Sequence, residues 1–277
     1  MIIPVRNAAK TLPDQLAALA LQDADIKWEL LVVDDGSSDE SPDIIREHAD
    51  RFPRVRSFSC ERAGANAARN TGAEQARSDH LLFCDADDVV DVSWVRALSA
   101  ALDEHHAVGG RLDNDTFPHG YMPRHPDALP IAGGFLPRAI AANFGVRRSV
   151  WKEVGGFCED YAYGSTDTEF CWRVQLAGYE LQYVRDAVVA YRHRTTLRSA
   201  ARKSYRTGQA QVQLYRDFRE SGMPRSSWPR TVGRWGRLSL RMPLAIVSES
   251  YRWTWVREAA HAWGRVVGSV RLGLRYL

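Results

Sequence analysis

Three acidic groups in this 277-residue chain have the residue types and spacing to do chemistry. Asp85-Ala86-Asp87-Asp88 follows directly on the apolar run at residues 81–84. Alternate residues of a strand share a face, so Asp85 and Asp87 can both reach one cation if the strand continues briefly. Carboxylate oxygens suit Mg²⁺ or Mn²⁺, ions that also bind phosphate oxygens. Taken by itself the same group reads equally well as a solvated acidic turn. Asp34-Asp35 ends a second apolar run, at residues 28–33. A carboxylate there can accept hydrogen bonds from a nucleobase and ribose, or can cap the helix that follows. Asp167 and Glu169 open a helical segment, where acids also complement the helix dipole.

The elements that must position these acids follow from the periodicity. Residues 2–5 read as a clipped strand, 10–21 as a helix and 28–33 as a second strand. Ser41 and Pro42 open a helix as cap and first residue. A strand at 55–59, a helix at 65–76 and a strand at 80–84 continue the alternation. Short loops between alternating strands and helices predict an α/β fold, a mostly parallel sheet with helices on both faces. Ligands bind such sheets at the carboxyl ends of the strands. Arg6-Asn7, Asp34-Asp35 and the acidic triplet all fall there.

Between residues 109 and 142 the pattern breaks down and Gly and Pro are dense, which predicts long loops. Regular structure resumes at 143–147, with helices at 149–154 and 168–177, the latter stopped by Gly178. Two strands are expected at 181–184 and 187–191. Residues 196–220 look helical, and a second helical region follows the Pro-bearing link at 222–229.

Six segments in order resemble the family 2 glycosyltransferases of GT-A (Rossmann-like) fold. They are Ile3-Pro-Val-Arg-Asn7, Val32-Val-Asp-Asp-Gly-Ser-Ser-Asp39, Ala68-Arg-Asn-Thr-Gly72 and Phe83-Cys-Asp-Ala-Asp-Asp88, then Arg148-Ser-Val-Trp-Lys-Glu-Val-Gly-Gly-Phe157 and Asp167-Thr-Glu-Phe-Cys-Trp-Arg173. One such match is unspecific; six in sequence are not. The resemblance implies a catalytic domain at 1–195, with a donor half at 1–108 and an acceptor half at 109–195; the helical pattern makes 196–277 an extension to it. It also implies a nucleotide-diphosphate-sugar donor (UDP-, GDP- or dTDP-linked) and a divalent cation on Asp85 and Asp87.

By the same resemblance, the backbone around Pro4 and Val5 flanks the base, Asn7 is a further donor contact, and one of Asp34 and Asp35 contacts the nucleotide. Asp85 and Ala86 meet the donor. Arg62 and Arg69 carry the planar fork that suits phosphate, although surface solvation explains either. Asp167 corresponds to the general base, which takes the proton of an attacking acceptor hydroxyl in an inverting transfer. The family's first acid at that motif is replaced here by Thr166. His193 sits where metal-dependent relatives carry a cation or diphosphate contact, and imidazole suits Mn²⁺. Glu169, Trp172 and Arg173 lie beside the base and are acceptor candidates, Trp172 suiting core packing as well.

Composition adds the partner. From Arg225 onward there are ten Arg, no Lys and two acids, a balance of +8; the net charge of +3 leaves −5 for the remaining 224 residues. Five of the nine tryptophans fall in that tail. Val256, Ala260, Trp263, Val267, Val270 and Leu274 recur at three- and four-residue steps. Basic, Trp-rich amphipathic helices lie in a membrane interface, so residues 230–277 are expected to touch an anionic membrane; packing on the catalytic domain or on a second subunit is the other reading. No run is long and apolar enough to span a bilayer, and the four cysteines lack metal or disulfide spacing. A cytoplasmic protein, peripheral on the inner face of the plasma membrane, follows as the expectation, with a glycan or lipid-linked acceptor and no nucleic acid partner. Two rivals stand beside this reading: a phosphotransferase or phosphatase built on the D-x-D strand end, and a non-catalytic membrane-associated scaffold.

Overall fold

The computed structural model describes residues 1–52, 54–61, 64–117, 127–161 and 164–276. The first part alternates as expected: β1 (Ile2–Val5), α1 (Leu12–Ala20), β2 (Leu30–Asp34), α2 (Ser41–His48), β3 (Val55–Ser59), α3 (Ala65–Gln75) and β4 (His80–Phe83). A short β5 (Val89–Val90), α4 (Trp94–Glu104) and β6 (Ala107–Asp113) follow. A small hairpin, β7 (Ile131–Ala132) and β8 (Leu136–Pro137), leads to β9 (Phe144–Arg147), α5 (Arg148–Glu153), α6 (Thr166–Leu176) and β10 (Leu181–Ala190). Three helices complete the chain: α7 (Leu197–Phe218), α8 (Trp228–Val247) and α9 (Glu249–Arg271).

Eight strands form one sheet in the order β3-β2-β1-β4-β9-β6-β10-β5, parallel from β3 to β4 and mixed beyond. Strands β1, β2 and β4 are buried on both faces and split their side chains between two cores. Ile3, Val5, Leu30, Val32 and Leu82 pack with α1, α2 and α4; Ile2, Leu31, Leu81 and Phe83 pack with α3, α5 and α6. That two-sided burial is why these strands read as continuous apolar runs rather than alternating ones. Chain order reverses at β1, which lies between β2 and β4, and the crevice there opens at the carboxyl ends of both.

Three local expectations are corrected. Residues 109–142 are not all loop, because β6 runs through the middle of the sheet. Gly109 and Gly110 hid it: a Cβ at Gly109 would strike Ala139, and one at Gly110 the Asn143 side chain. The two strands expected after Gly178 are one, β10, with its register shifting between Val184 and Val188. Buried Asn143 secures that irregularity by donating from Nδ2 to the carbonyls of Arg111 (2.9 Å) and Ala187 (2.8 Å). Ser41 is not the cap of α2 but its first residue, and its Oγ accepts from the Ala8 N–H at 2.9 Å. The hydroxyl therefore ties the loop after β1 to the loop after β2.

The C-terminal helices fold back on the domain. Val212, Phe218, Met223 and Tyr276 share a third core with Tyr161 and Trp172. α7 and α9 approach to backbone contact, since a Cβ at Gly208 would fall on the His261 carbonyl and one at Gly264 on that of Tyr205. The buried face of α9 is Ala262, Gly264, Arg265, Gly268 and Ser269. Of the apolar steps counted in the sequence, Trp263 is 56% and Val270 77% exposed, whereas Leu274, past the end of α9, packs against the third core. Among the described residues no helix is long and apolar enough to cross a membrane.

Candidate active site

Two loops build the crevice, and polar side chains hold both, exposed ones at the first and a buried one at the second. After β1, Asn7 adopts a left-handed φ of 51°. Its backbone N–H donates to Ser37 Oγ (3.0 Å) and its Oδ1 accepts from the Ser38 N–H (2.8 Å). After β4, Gln15 of α1 reaches across: Nε2 donates to the Asp85 carbonyl (3.1 Å) and Oε1 accepts from the Val90 N–H (3.0 Å). Gln15 is fully buried and clamps the acidic turn at both ends. The sequence offered one signal for it, a polar residue on the stripe of Leu12, Leu16 and Leu19.

The two acids after β2 do different things. Asp34 accepts from the Ser37 N–H at 3.2 Å, a turn within its own loop. Asp35 points at the crevice, where Oδ1 accepts from the Gly64 N–H (2.8 Å) and Oδ2 from Arg6 Nη1 (3.2 Å). A cavity of about 310 Å³ opens here, lined by Pro4, Val5, Asn7, Asp35, Arg69, Asp85 and Ala86. Those are seven of the nine donor-contact expectations. Asp34 does not line it, and Arg62 lies outside the described residues. Arg6, Thr11, Asp87 and Arg194 complete its polar wall.

One ligand atom from each of Asp85, Asp87 and Asp88 lies within 4.8 Å of the others. Asp88 is fully buried; its Oδ1 accepts from the Arg192 N–H at 2.7 Å, and its Oδ2 has no partner. Burial, then the Asp87 and Asp85 charges, push the Asp88 carboxyl up; burial and then Asp85 push Asp87 up. Three crowded carboxylates with an orphaned oxygen fit a hard divalent cation, which would relieve both the repulsion and the missing bond. Positive charge also comes from the chain itself. Arg69 Nη2 donates to Asp85 Oδ1 at 2.6 Å, and Arg194 Nη1 stands 3.9 Å from Asp87 Oδ2. Lys203 of α7 donates to the Tyr191 hydroxyl at 2.7 Å and adds its field to Asp87 and Asp88.

His193 is not in that carboxylate cluster; its Nε2 meets Asn114 Oδ1 at 2.7 Å, one residue along from Arg192. Asp167 stands in the first turn of α6 after Ser165, whose φ of 58° is left-handed. Its Oδ1 accepts from the Thr168 N–H (2.8 Å) and its Oδ2 from Arg138 Nη1 (3.4 Å). Asn7 and Ser165 are the two non-glycine residues with positive φ among those described. Strain of that kind concentrates at functional sites.

The acceptor candidates are engaged internally. Trp172 is fully buried, edge-on to Phe135 and Phe218, and donates from Nε1 to the Leu136 carbonyl (3.1 Å). Arg173 pairs with Glu169 and donates from Nη2 to the Gly156 carbonyl at 2.6 Å, holding the turn at Gly155 and Gly156. That turn is also tied to α3, because Asn70 donates to the Phe157 carbonyl (2.8 Å) and accepts its N–H (2.8 Å).

Residues 1–163 match the family described as Glycosyl transferase family 2. Glycosyltransferase AglE of Haloferax volcanii is 29% identical over 78% of this chain and 73% of its own length. Pre-mycofactocin glycosyltransferase of Mycobacterium tuberculosis is 30% identical over 76% of the chain, which spans only 46% of that relative. Among solved structures, mannosyltransferase PcManGT from Pyrobaculum calidifontis, in complex with GDP-Man and Mn²⁺, matches with a TM-score of 0.67 at 19% identity, over 97% of this chain and 86% of that one. S. aureus TarS 1–349 in complex with UDP matches at 0.58 and 18% identity, over 100% and 92%. At those identities the likeness speaks to the GT-A fold alone. The family match covers more than half of the sequence and takes in both loops of the crevice, so the chain belongs to glycosyl transferase family 2 and is a glycosyltransferase.

Proposed function

We infer that the chain moves a sugar from a nucleoside-diphosphate sugar to a hydroxyl of a glycan or lipid-linked acceptor, with inversion and with Mg²⁺ or Mn²⁺ bound. One observation carries this: Pro4, Val5 and Asp35 share a single cavity with Asp85 and Asp87. A base and ribose fit the first wall, and a diphosphate fits the second. The relatives solved with UDP, UDP-GlcNAc, or GDP-Man with Mn²⁺ support a donor of this class.

Asp85, Asp87 and the free Oδ2 of Asp88 would hold the cation, with His193 as a further ligand or diphosphate contact from the loop that Arg192 pins to Asp88. When bound, it supplies Lewis-acid stabilisation of the leaving diphosphate. The chain's own residues do the rest. Asp35 accepts from the nucleoside, and Arg69 fixes Asp85 rather than gripping phosphate. Arg194 and Lys203 place positive charge beside the developing diphosphate. Asp167 takes the acceptor hydroxyl proton on Oδ2 as the oxygen attacks the anomeric carbon and the bond to the diphosphate breaks. Thr168 and Arg138 orient that carboxylate. Glu169, Arg173 and Trp172 shape the acceptor wall from behind. Residues 230–277 give the enzyme a peripheral hold on an anionic membrane.

A thermal-shift screen of nucleoside diphosphates and their sugars, with Mg²⁺ and Mn²⁺, tests the core of this reading. Ligands that bind the native state raise its stability by mass action. A metal-dependent shift with one nucleotide, lost in Asp87→Asn, is expected; no shift with any nucleotide would sink the donor assignment.

A further inference from the structure

We propose that α8 is the membrane-docking element of this enzyme: it lays an exposed apolar face in the surface of an anionic bilayer, with its own arginines alongside. This rests on the peripheral reading of the tail given above and assigns it to one helix. α8 touches the rest of the molecule along a narrow stripe, through Thr231, Leu238 and Ala245. Trp255 Nε1 donates to the Leu238 carbonyl (2.8 Å) and Arg252 Nε to that of Ala245 (3.1 Å), fastening that stripe to α9. Apart from half-buried Arg234, whose charge faces His261 and Arg265 of α9, the remainder of the helix is open. Eight of the sixteen exposed large apolar side chains among the described residues sit on these twenty positions.

Their spacing makes a face. Trp228, Val232, Trp235, Met242 and Ile246 recur at steps of four, three, seven and four, which line one side of a helix. Leu240, Leu244 and Val247 widen it along the C-terminal half, with Leu240 and Val247 each 80% exposed. No charged residue interrupts this arc. Exposed Arg230, Arg237 and Arg241 line the adjoining side at steps of seven and four, with half-buried Arg234 behind them, and α8 contains no acid. An apolar patch of this size facing water marks an interaction surface.

Charge chooses the occupant. A second copy of the chain would set this arginine stripe against its own image in a two-fold contact, where like charges repel. A bilayer carrying anionic headgroups takes the apolar arc into its acyl boundary and pairs the arginines with phosphate. Tryptophans at the edge of such a face suit the headgroup region. The helix is about 30 Å long at 1.5 Å per residue, yet four arginines keep it from spanning, so it lies in the plane. Its orientation reaches the active site through rigid packing. α8 is fastened to α9, α9 meets α7 at Gly208 and Gly264, and α7 brings Lys203 to the acidic cluster. A lipid-linked acceptor would thus be met at a fixed height above the membrane.

The test is flotation of the full chain with vesicles of phosphatidylcholine alone or with about one third phosphatidylglycerol. Wild type should float with the anionic vesicles, and Trp235→Asp/Ile246→Asp should bind them about tenfold less. Arg237→Glu/Arg241→Glu should lose the preference for phosphatidylglycerol. All four side chains are exposed, so GDP or UDP affinity with Mn²⁺ should stay within about twofold in each variant, confirming the fold. If wild type floats and the Trp235/Ile246 variant floats equally well, or if Trp263→Asp on α9 is the more damaging change, the α8 assignment is wrong while peripheral binding stands. If wild type floats with no vesicle, peripheral binding itself is wrong. A wild-type dimer that the Trp235/Ile246 variant turns monomeric, without vesicle binding, would put a second copy on this face instead.

Discussion

Nη2 of Arg69 donates to Oδ1 of Asp85 at 2.6 Å, joining the middle of α3 to the turn that follows β4. Arg69 is 5% exposed, its Nη1 donates to Asn66 Oδ1 at 3.3 Å, and its guanidinium faces the Phe157 ring at 5.8 Å. It is therefore a fixed positive charge under one edge of the carboxylate cluster. Only Asp85 of the triplet has such a partner within hydrogen-bond reach among the described residues.

Arg69→Gln should accordingly act on the cluster before it acts on the nucleotide. It leaves Asp85 facing two other acids without its guanidinium, and Asp85 is about one quarter exposed, so the loss is discounted to about 2 kcal/mol of stability. Urea unfolding reads that change. Calorimetry with Mn²⁺ and nucleotide should show weakened binding, and Arg69→Lys should recover the charge but not the paired geometry. Full affinity in Arg69→Gln would refute the positioning role.

Gln15 gives a second handle on the same turn. Gln15→Glu keeps an acceptor for the Val90 N–H but turns a carboxylate oxygen toward the Asp85 carbonyl. A buried donor is lost and a buried charge gained, at about 2–4 kcal/mol. The cation response should fall with it, although Gln15 touches no ligand. A variant with wild-type stability would mean that water replaces the clamp.

Asp167→Asn separates chemistry from binding. Asparagine can keep an oxygen for the Thr168 N–H but cannot accept a proton, so transfer should fall by about 10²–10⁴-fold while donor affinity is retained. Asp35→Asn should show the opposite pattern, with the loss in nucleotide affinity. Normal turnover in Asp167→Asn would remove it as the base.

How much of this was legible in the sequence depends on where the positioning groups come from. The strand-end acids were legible because two-sided burial writes an uninterrupted apolar run just before each of them. The division of labour between Asp34 and Asp35 was not, since it depends on which one faces Gly64 across the crevice. Arg194 and Lys203 reach the cluster only because β10 ends beside the short strand β5 and α7 folds back, pairings no local pattern announces. Central β6 was missed because close packing demanded glycine at the positions that would have carried its signature. In the tail, composition pointed to a membrane, but helical steps singled out α9, whereas the wider open face belongs to α8.

The crowding of the triplet makes a pH prediction with a definite sign. Burial and neighbouring carboxylates hold Asp88, and less strongly Asp87, above the ordinary carboxylate range. The folded chain then keeps protons that the unfolded chain has released, so stability without metal is favoured at low pH and declines as pH climbs through the raised values. A divalent cation competes for the same oxygens, so its binding strengthens over that window. The rise in Tm on adding Mn²⁺ should be larger at about pH 8 than at about pH 6. Asp88→Asn keeps an acceptor for the Arg192 N–H, removes the buried charge, and should flatten most of that difference. An Mn²⁺ shift that is equal at both pH values in the wild type would mean that protons and cation do not share this site.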